Sequence, residues 1–243
     1  MSDETIETII KKFRHMRLPI MADSLLNIIE NGELDTRTTI DILDHLTSEE
    51  YMSRKNNTVN RLKRNAKLTQ VNAHLEEIDY SPQRQINKQV MDQLRTGDYI
   101  KNHRNVILLG ACGTGKSYIS NALGNHACEN SYSTYYTRIF EFLDDCHQEY
   151  LLSQSIRKTI NRYSKFDVLI IDDFLVGNVQ DREAQYIFQL LEYRYGNKST
   201  IICSQLEPSE WHLRLGGSIL ADSILDRIIP NSYELILHGE SNR

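Results

Sequence analysis

The chain has 243 residues, of which 40% are hydrophobic and 25% charged, a composition typical of soluble globular proteins with one large or two modest domains. No apolar run approaches the roughly 20 residues needed to cross a bilayer, and the acidic N-terminus lacks the apolar core of a signal peptide. Four cysteines without metal-binding or redox spacing fit a reducing compartment, so we expect a cytoplasmic protein with no membrane partner. The net charge of −5 does not by itself indicate nucleic-acid binding.

Residues 1–68 are predicted to form a small all-helical domain. Apolar side chains recur at helical intervals from Ile6 to Phe13, across Met21–Ile29 and across Thr39–Arg64, with proline and glycine breakers between the stretches. The region is too small to supply half of a nucleotide site. We expect it to bind DNA or a protein partner, with a plain packing role as the alternative.

A basic stripe with no acidic residue lies near the end of this helical region. It consists of six side chains: Arg54, Lys55, Arg61, Lys63, Arg64 and Lys67. Such a run is usually a solvated face, but on an acidic protein it also suits a polyanionic partner. The stripe is therefore a candidate DNA contact, and the solvated face stays open as the alternative.

Residues 69–104 are polar and are predicted to form a connector, with a helix over Lys88–Tyr99. From 105 to 243, short apolar runs alternate with helical patterns, which predicts a parallel sheet flanked by helices. The predicted strands are Val106–Leu109, Ser133–Ile139, Val168–Ile171, Ser199–Cys203 and Tyr233–Leu237. The predicted helices are Tyr118–His126, Phe140–Tyr150, Leu151–Tyr163, Gln180–Tyr195 and Ile219–Ile229. Ligands on such sheets bind at the carboxyl ends of the strands.

A glycine-rich loop follows the first of these strands and precedes a helix. Its sequence, Gly110-Ala-Cys-Gly-Thr-Gly-Lys-Ser117, has the P-loop spacing G-x-x-x-x-G-K-[ST]. Glycines let the backbone N–H groups wrap a polyphosphate, and the helix start adds its positive dipole end. The candidate nucleotide-binding residues are Gly110, Ala111, Cys112, Gly113, Thr114, Gly115, Lys116, Ser117 and Tyr118. The alternative is a glycine turn with a chance lysine.

Two aspartates follow the apolar run Val168–Ile171, in the arrangement called Walker B. Asp172 at the tip of a buried strand, together with the hydroxyl of Ser117, could bind Mg²⁺. Asp173 could orient or deprotonate an attacking water, and Lys116 could reach the β- and γ-phosphates. Capping of the next helix is the bland alternative for the aspartates.

Three further polar residues are candidates for roles in the same chemistry. Ser204 and Gln205 end the fourth predicted strand and could reach the γ-phosphate or hold water, unless they merely solvate the strand end. Arg227 could act on the nucleotide of a neighbouring subunit, or it could be a surface arginine paired with Asp222 or Asp226.

Taken together, seven segments resemble the IstB-like ATP-binding proteins over nearly the whole chain. They are Met16–Ala22, the Gly110–Ser117 loop, Leu169–Phe174, Ser199–Gln205, Trp211, Ile224–Arg227 and Gly239–Ser241. That family is a branch of the AAA+ ATPases and is similar to the DnaC and DnaI helicase loaders. The resemblance implies an AAA+ type P-loop fold over 105–243 without a separate C-terminal lid. It also implies cofactors ATP and Mg²⁺ and slow ATP hydrolysis to ADP and phosphate.

The same resemblance implies a function and a set of roles. Family members assemble on duplex DNA as homo-oligomers with ATP and assist a partner transposase in insertion-sequence transposition. Lys116 and Ser117 then belong to Walker A, Asp172 and Asp173 to Walker B, Ser204 or Gln205 to the sensor 1 position and Arg227 to an arginine finger. Asn242 stands before Arg243 where an aromatic residue is common, so a sensor role is not carried over to Arg243.

Other functions remain open on the sequence alone. A helicase loader like DnaC would share the ATPase core and engage a replicative helicase through its N-terminal helices. A small-molecule kinase would need an acceptor pocket and an arginine-rich lid, and the sequence after Asp173 shows no clear sign of either. A scaffold with a degenerate P-loop is disfavoured by the intact Lys116, Ser117 and Asp172.

Overall fold

The computed structural model of the chain describes residues 3–239. Glu240–Arg243, and with them Arg243 and most of the predicted Gly239–Ser241 segment, lie outside the described residues. The chain divides into two compact units, Met1–Arg61 and Leu62–Arg243. No helix within residues 3–239 is both long and apolar enough to cross a membrane. The domain boundaries expected after residues 68 and 104 stay predictions.

The first unit consists of helices packed around one small apolar core. Its helices are α1 (Asp3–His15), α2 (Pro19–Glu30) and the first part of α3 (Thr39–Asn65), with a 3₁₀ turn at Glu33–Asp35. The buried apolar side chains are Ile10, Met21, Ala22, Leu25, Ile28 and Leu46. Pro19 occupies the first turn of α2, where the missing N–H of proline is tolerated.

A buried carboxylate from α3 caps the start of α2. Glu50 Oε2 accepts hydrogen bonds from the backbone N–H groups of Ile20 (3.0 Å) and Met21 (3.2 Å). Its Oε1 accepts from Arg54 Nε at 2.7 Å. Burial alone would raise the pKa of Glu50, but the donors from Arg54, Met21 and Ile20 outweigh burial and lower it. Glu50 therefore supplies the cap that no neighbouring residue provides.

The second unit is built on a five-stranded sheet in which all paired strands are parallel. The strands are β1 (Asn105–Gly110), β2 (Thr134–Arg138), β3 (Val168–Asp172), β4 (Ser199–Ser204) and β5 (Ser232–Leu237). Their spatial order is β2-β3-β4-β1-β5. Side chains of β3 and β4 are buried along their whole length, as expected of a sheet covered on both faces. The fold predicted from the alternating pattern is confirmed.

Eight further α-helices lie within the described residues of this unit. They are α4 (Lys88–Arg95), α5 (Asp98–Lys101), α6 (Lys116–Glu129), α7 (Ile139–Ser153), α8 (Arg157–Ser164), α9 (Asp181–Arg194), α10 (Pro208–Arg214) and α11 (Ile219–Ile228). The prediction of one helix over Lys88–Tyr99 is wrong, because Gly97 adopts a left-handed φ of 73° and ends the first helix. Helix α10 was not predicted.

One arginine ties the amino ends of two sheet strands to the end of α8. Arg194 is 1% exposed and donates to the carbonyl oxygens of Tyr163, Ser164, Phe166 and Ser199 and to the hydroxyl of Thr200. Burial lowers the pKa of this guanidinium to about 9. Arg194 thus satisfies backbone carbonyl groups at the end of α8, just before β3 and at the start of β4, at the edge of the sheet opposite the P-loop.

Candidate nucleotide-binding site

The glycine-rich loop joins β1 to α6 at the carboxyl edge of the sheet. Gly110 has a φ of 148°, and a Cβ at this position would clash with the carbonyl oxygen of Leu237. Gly113 and Gly115 have φ values of 81° and 99°, which side-chain-bearing residues rarely adopt. The loop backbone therefore requires glycine where the sequence motif has it.

Lys116 is the first residue of α6, and its side chain lies along the loop. Its Nζ donates to the carbonyl oxygens of Gly110 at 2.6 Å and Ala111 at 2.8 Å. The side chain is mostly buried, and burial lowers the pKa of the amine. A cation held beside the inward-facing loop suits a polyphosphate ligand.

Asp172 ends β3 beside the loop, and three hydrogen-bond donors hold its carboxylate. Ser117 Oγ donates to Asp172 Oδ2 at 2.8 Å, and the Tyr136 hydroxyl donates to the same oxygen at 2.7 Å. The backbone N–H of Asp173 donates to Oδ1 at 2.9 Å. Asp172 is 4% exposed, so the structure places a buried carboxylate next to the P-loop hydroxyl.

Asp173 points differently from Asp172 because the chain turns sharply after the strand. Its φ is 56°, a left-handed value that is uncommon for a residue with a side chain. The carboxylate lies 3.7 Å from Arg138 Nε, and 44% of the Asp173 side chain is exposed. Unlike Asp172, this carboxylate is accessible to water.

The loop and the two aspartates line a cavity of about 310 Å³. Its lining residues are Gln70, Cys112, Gly113, Gly115, Lys116, Ser117, Tyr118, Asp172, Asp173 and Gln205. Of the two strand-end candidates, Gln205 lines the cavity. Ser204 is fully buried, and its hydroxyl donates to the Phe174 carbonyl at 2.8 Å. Ser204 therefore supports the turn that follows Asp173.

A second, smaller cavity of about 150 Å³ adjoins the first through Gly115 and Tyr118. Its lining is mostly apolar and includes Ile78, Ile86 and Ile119. Arg84 closes this side of the loop by donating to the Thr114 carbonyl at 2.8 Å. The Tyr118 hydroxyl donates to Glu77 at 2.8 Å. The connector predicted over 69–104 thus forms part of the wall of the site.

A larger cavity, about 590 Å³, lies between α7 and the start of α9. It is lined by Phe140, Asp144, His147, Arg182 and Tyr186, among others. It contains no glycine-loop residue and neither Walker B aspartate. The 310 Å³ cavity at the loop is nevertheless the candidate nucleotide site, because its walls carry the phosphate-binding and carboxylate groups that the larger cavity lacks.

Arg227 lies near the end of α11 and pairs with a residue of α9. It forms an ion pair with Glu192, and its Nη1 donates to the Ser223 carbonyl at 2.7 Å. The predicted alternative partners, Asp222 and Asp226, are not the carboxylate that it contacts. Arg227 does not line the loop cavity of its own chain.

The members of the basic stripe differ in their surroundings. Arg54 contacts Glu50 in the first unit, and Lys63 Nζ lies 2.7 Å from Glu129 in the second. Lys67 lies over the ring of Tyr135, and a hydrogen bond with that tyrosine raises the pKa of the lysine. Lys55, Arg61 and Arg64 are exposed.

The oxygen donors at the loop fit a magnesium ion whose remaining ligands come from a phosphate and from water. Among residues 3–239 no cluster of three or more His, Cys, Asp or Glu side chains could enclose a metal. Ser117 and Asp172 supply oxygen ligands only. Mg²⁺ typically takes one or two protein oxygens and completes its shell with phosphate and water.

The comparison with protein families decides the family. The model of the IstB-like ATP binding protein family matches residues 11–243. The chain belongs to the IstB-like ATP-binding protein family. The resemblance seen in the sequence motifs is confirmed, and ATP is the ligand that the family description names.

Relatives within this family match along most of the chain. An insertion sequence ATP-binding protein of Sinorhizobium fredii is 32% identical over 92% of this chain and 89% of its own length. The insertion sequence IS21 ATP-binding protein of Pseudomonas aeruginosa is 28% identical over 98% and 88% of the two chains.

Solved structures of other proteins share the fold of this family member. The crystal structure of DnaI matches with a TM-score of 0.54 at 19% identity, over 71% of this chain and 91% of that one. The DnaC helicase loader matches with a TM-score of 0.56 at 18% identity, over 68% and 97%. At these identities the similarity shows the fold alone.

Several residues at the site were not predicted from the sequence, among them Gln70, which lines the loop cavity, and two residues that contact its key groups. Tyr136 reaches Asp172 because β2 is the sheet neighbour of β3, and Arg84 reaches the loop from the connector. No spacing rule links either residue to the motifs. A sheet order derived from the family fold is the signal that could have pointed to Tyr136.

Proposed function

We propose that this protein is an ATP-dependent DNA-binding ATPase that assembles on duplex DNA and assists a transposase in insertion-sequence transposition. The carrying observation is the 2.8 Å hydrogen bond between Ser117 of the P-loop and Asp172 at the end of β3. This contact joins the two halves of a Mg²⁺–nucleotide site. The names of the relatives, insertion sequence ATP-binding proteins, support the role in transposition.

In this proposal the Gly110–Ser117 loop binds the triphosphate of ATP. Backbone N–H groups and the start of α6 surround the phosphates, and Lys116 exchanges its carbonyl acceptors for phosphate oxygens. Ser117 and Asp172 hold Mg²⁺, which neutralises charge on the phosphates when bound. The adjoining cavity of about 150 Å³, lined by Ile78, Ile86 and Ile119, accepts the adenine, since its walls are mostly apolar.

Hydrolysis is assigned to the exposed carboxylate next to Asp172. Asp173 orients or deprotonates the attacking water, and Gln205 on the adjacent strand end holds that water or the γ-phosphate. Asp173→Asn should leave ATP affinity within about twofold and lower turnover by at least about tenfold, because general-base contributions are typically 10²–10⁴. Equal turnover in Asp173→Asn and in the wild-type protein would show that Asp173 does not activate the attacking water.

Assembly couples the nucleotide to DNA. ATP bound at the loop lies at the boundary with a second copy, whose Arg227 stabilises the transferring phosphoryl group. The basic stripe supplies positive charge for DNA phosphates. Binding energy is used for oligomer formation on DNA, and hydrolysis resets the assembly.

The decisive experiment is light scattering after size exclusion of the full chain with duplex DNA. We compare ATP, ADP and no nucleotide, and use Lys116→Ala as the matched variant that lacks the phosphate contact. A large complex that needs both ATP and DNA, and that is lost in Lys116→Ala, is the expected result. A monomer that ignores duplex DNA in every nucleotide state would overturn the proposal. Co-purification with a replicative helicase would then indicate a helicase loader.

A further inference from the structure

We infer that Tyr136 is a positioning residue for the magnesium–nucleotide site, because its hydroxyl donates to the same carboxylate oxygen of Asp172 that accepts from Ser117. The inference rests on the proposed function, since it assigns a role within the same site. It adds a residue from β2, a strand that carries neither Walker motif.

The geometry gives Asp172 Oδ2 two hydroxyl donors at nearly equal distance. Tyr136 lies at 2.7 Å and Ser117 at 2.8 Å from this oxygen, while the Asp173 N–H holds Oδ1 at 2.9 Å. A carboxylate with three donors cannot rotate without breaking at least one hydrogen bond. Charge-assisted hydrogen bonds of this kind are among the stronger ones in proteins.

Tyr136 is itself held firmly. It is 6% exposed, and β2 pairs with β3 so that Tyr136 is opposite Ile170 and Arg138 is opposite Asp172. Its backbone N–H donates to the carbonyl of Ala66 at 2.8 Å. A rigid side chain on a paired strand suits the orientation of a ligand, because second-layer contacts fix the groups that bind metals.

The arrangement predicts how Asp172 acts on magnesium. Its oxygens already accept from Ser117, Tyr136 and the Asp173 backbone, and these three donors fix the orientation in which the carboxylate would hold Mg²⁺ together with Ser117. Without the Tyr136 hydroxyl, Asp172 can rotate and leave this orientation. The coupling between Mg²⁺ and ATP binding should therefore weaken, while ATP binding without metal should not change.

The test compares Tyr136→Phe with Tyr135→Phe. Tyr135 is the adjacent residue of β2, and its ring stacks on Phe166 with centroids 4.8 Å apart. Each variant loses one phenol hydroxyl from the same strand, and only one of these hydroxyls contacts Asp172. Affinity for a fluorescent ATP analogue is measured by titration in EDTA and at increasing Mg²⁺.

For Tyr136→Phe we expect unchanged affinity in EDTA and a Mg²⁺ enhancement reduced by about tenfold, the size of one hydrogen bond to a charged group. Tyr135→Phe should match wild type in both conditions. Tyr136→Phe should also lower kcat at saturating ATP more than it raises KM.

A Mg²⁺ enhancement in Tyr136→Phe that equals or exceeds that of wild type would overturn the inference while leaving the proposed function intact. A wild-type protein whose ATP affinity ignores Mg²⁺ would overturn both, so the two failures are distinguishable. Circular dichroism of each variant establishes that the fold is retained before the comparison is made.

Discussion

Arg227 on α11 forms an ion pair with Glu192 on α9 of the same chain, with its guanidinium 4.6 Å from the ring of Phe188. The proposed action of Arg227 on a neighbouring nucleotide requires this pair to open. The side chains are 23% and 52% exposed, so the contact is accessible and its loss costs little. The ion pair is therefore compatible with a residue that exchanges partners on assembly.

This relationship leads to a paired prediction. Arg227→Ala should leave ATP affinity within about twofold and lower DNA-stimulated turnover by about 10² or more, since arginines supplied in trans contribute roughly 10³–10⁵ in related phosphoryl transfers. Glu192→Gln should retain turnover, because it frees the arginine. Steady-state hydrolysis and nucleotide titration measure both. If Glu192→Gln lost as much turnover as Arg227→Ala, the pair itself would be the functional unit and the trans assignment would be wrong.

The basic stripe predicts a specific dependence of DNA affinity on salt. Neutralising the exposed Arg61 and Arg64 together should weaken duplex binding and reduce the slope of log affinity against log salt by about 2, or roughly 0.9 per phosphate contact. Fluorescence anisotropy at several salt concentrations gives the slope. Lys101→Gln with Lys165→Gln removes the same charge elsewhere and should leave it unchanged. An unaltered slope in the Arg61 and Arg64 variant would restore the interpretation of a solvated face.

Glu50 makes the first unit sensitive to acid. Its pKa is lowered below the ordinary 4.5, so its stabilisation is complete above about pH 4.5 and is lost as pH falls through the folded-state value. Glu50→Gln should cost about 1–2 kcal/mol at neutral pH and flatten the acid dependence. Hydrogen exchange of the α2 amides from pH 3 to 7 measures this. Glu49→Gln, an exposed neighbour, is the control, and equal behaviour of the two variants would contradict the capping role.

Arg194 should be among the more costly substitutions in the second unit. Arg194→Met removes every donor to four carbonyl oxygens and one hydroxyl, and we expect it to lower the free energy of unfolding by about 3 kcal/mol. Urea unfolding followed by the fluorescence of Trp211, which is fully buried, reports on this unit. Arg182→Met on the exposed side of α9 should change stability by less than about 1 kcal/mol. A similar loss in both variants would contradict the assignment.

The sequence was most informative where a local motif determines a local conformation. The Gly110–Ser117 loop needs particular φ angles that glycine allows, and Asp172 ends a fully apolar strand, so both could be placed by reading along the chain. The same reasoning failed at Lys88–Tyr99, because the apolar periodicity continues across Gly97 although the helix does not. A helical pattern records which faces are buried and not where the helix stops.

Contacts between distant segments were beyond the sequence analysis. Spacing offered Asp222 and Asp226 as partners of Arg227, but the packing of α11 on α9 brings Glu192 closer. Tyr136 meets Asp172 only through the sheet order, and Arg84 meets the loop only through the path of the connector. These side chains are set by tertiary packing, for which neither periodicity nor motif spacing carries a signal.

The two carbonyl contacts of Lys116 have a consequence for the thermodynamics of ligand binding. The ammonium group has three N–H donors, and two of them already have acceptors, at 2.6 and 2.8 Å, so a phosphate that accepts more than one hydrogen bond from Lys116 must displace a carbonyl contact. The measurable enthalpy of association then includes the loss of a carbonyl contact as well as the gain of phosphate contacts by one ammonium group. The contribution of Lys116 to affinity therefore depends on how much stronger its hydrogen bonds to phosphate are than its hydrogen bonds to the Gly110 and Ala111 carbonyl oxygens.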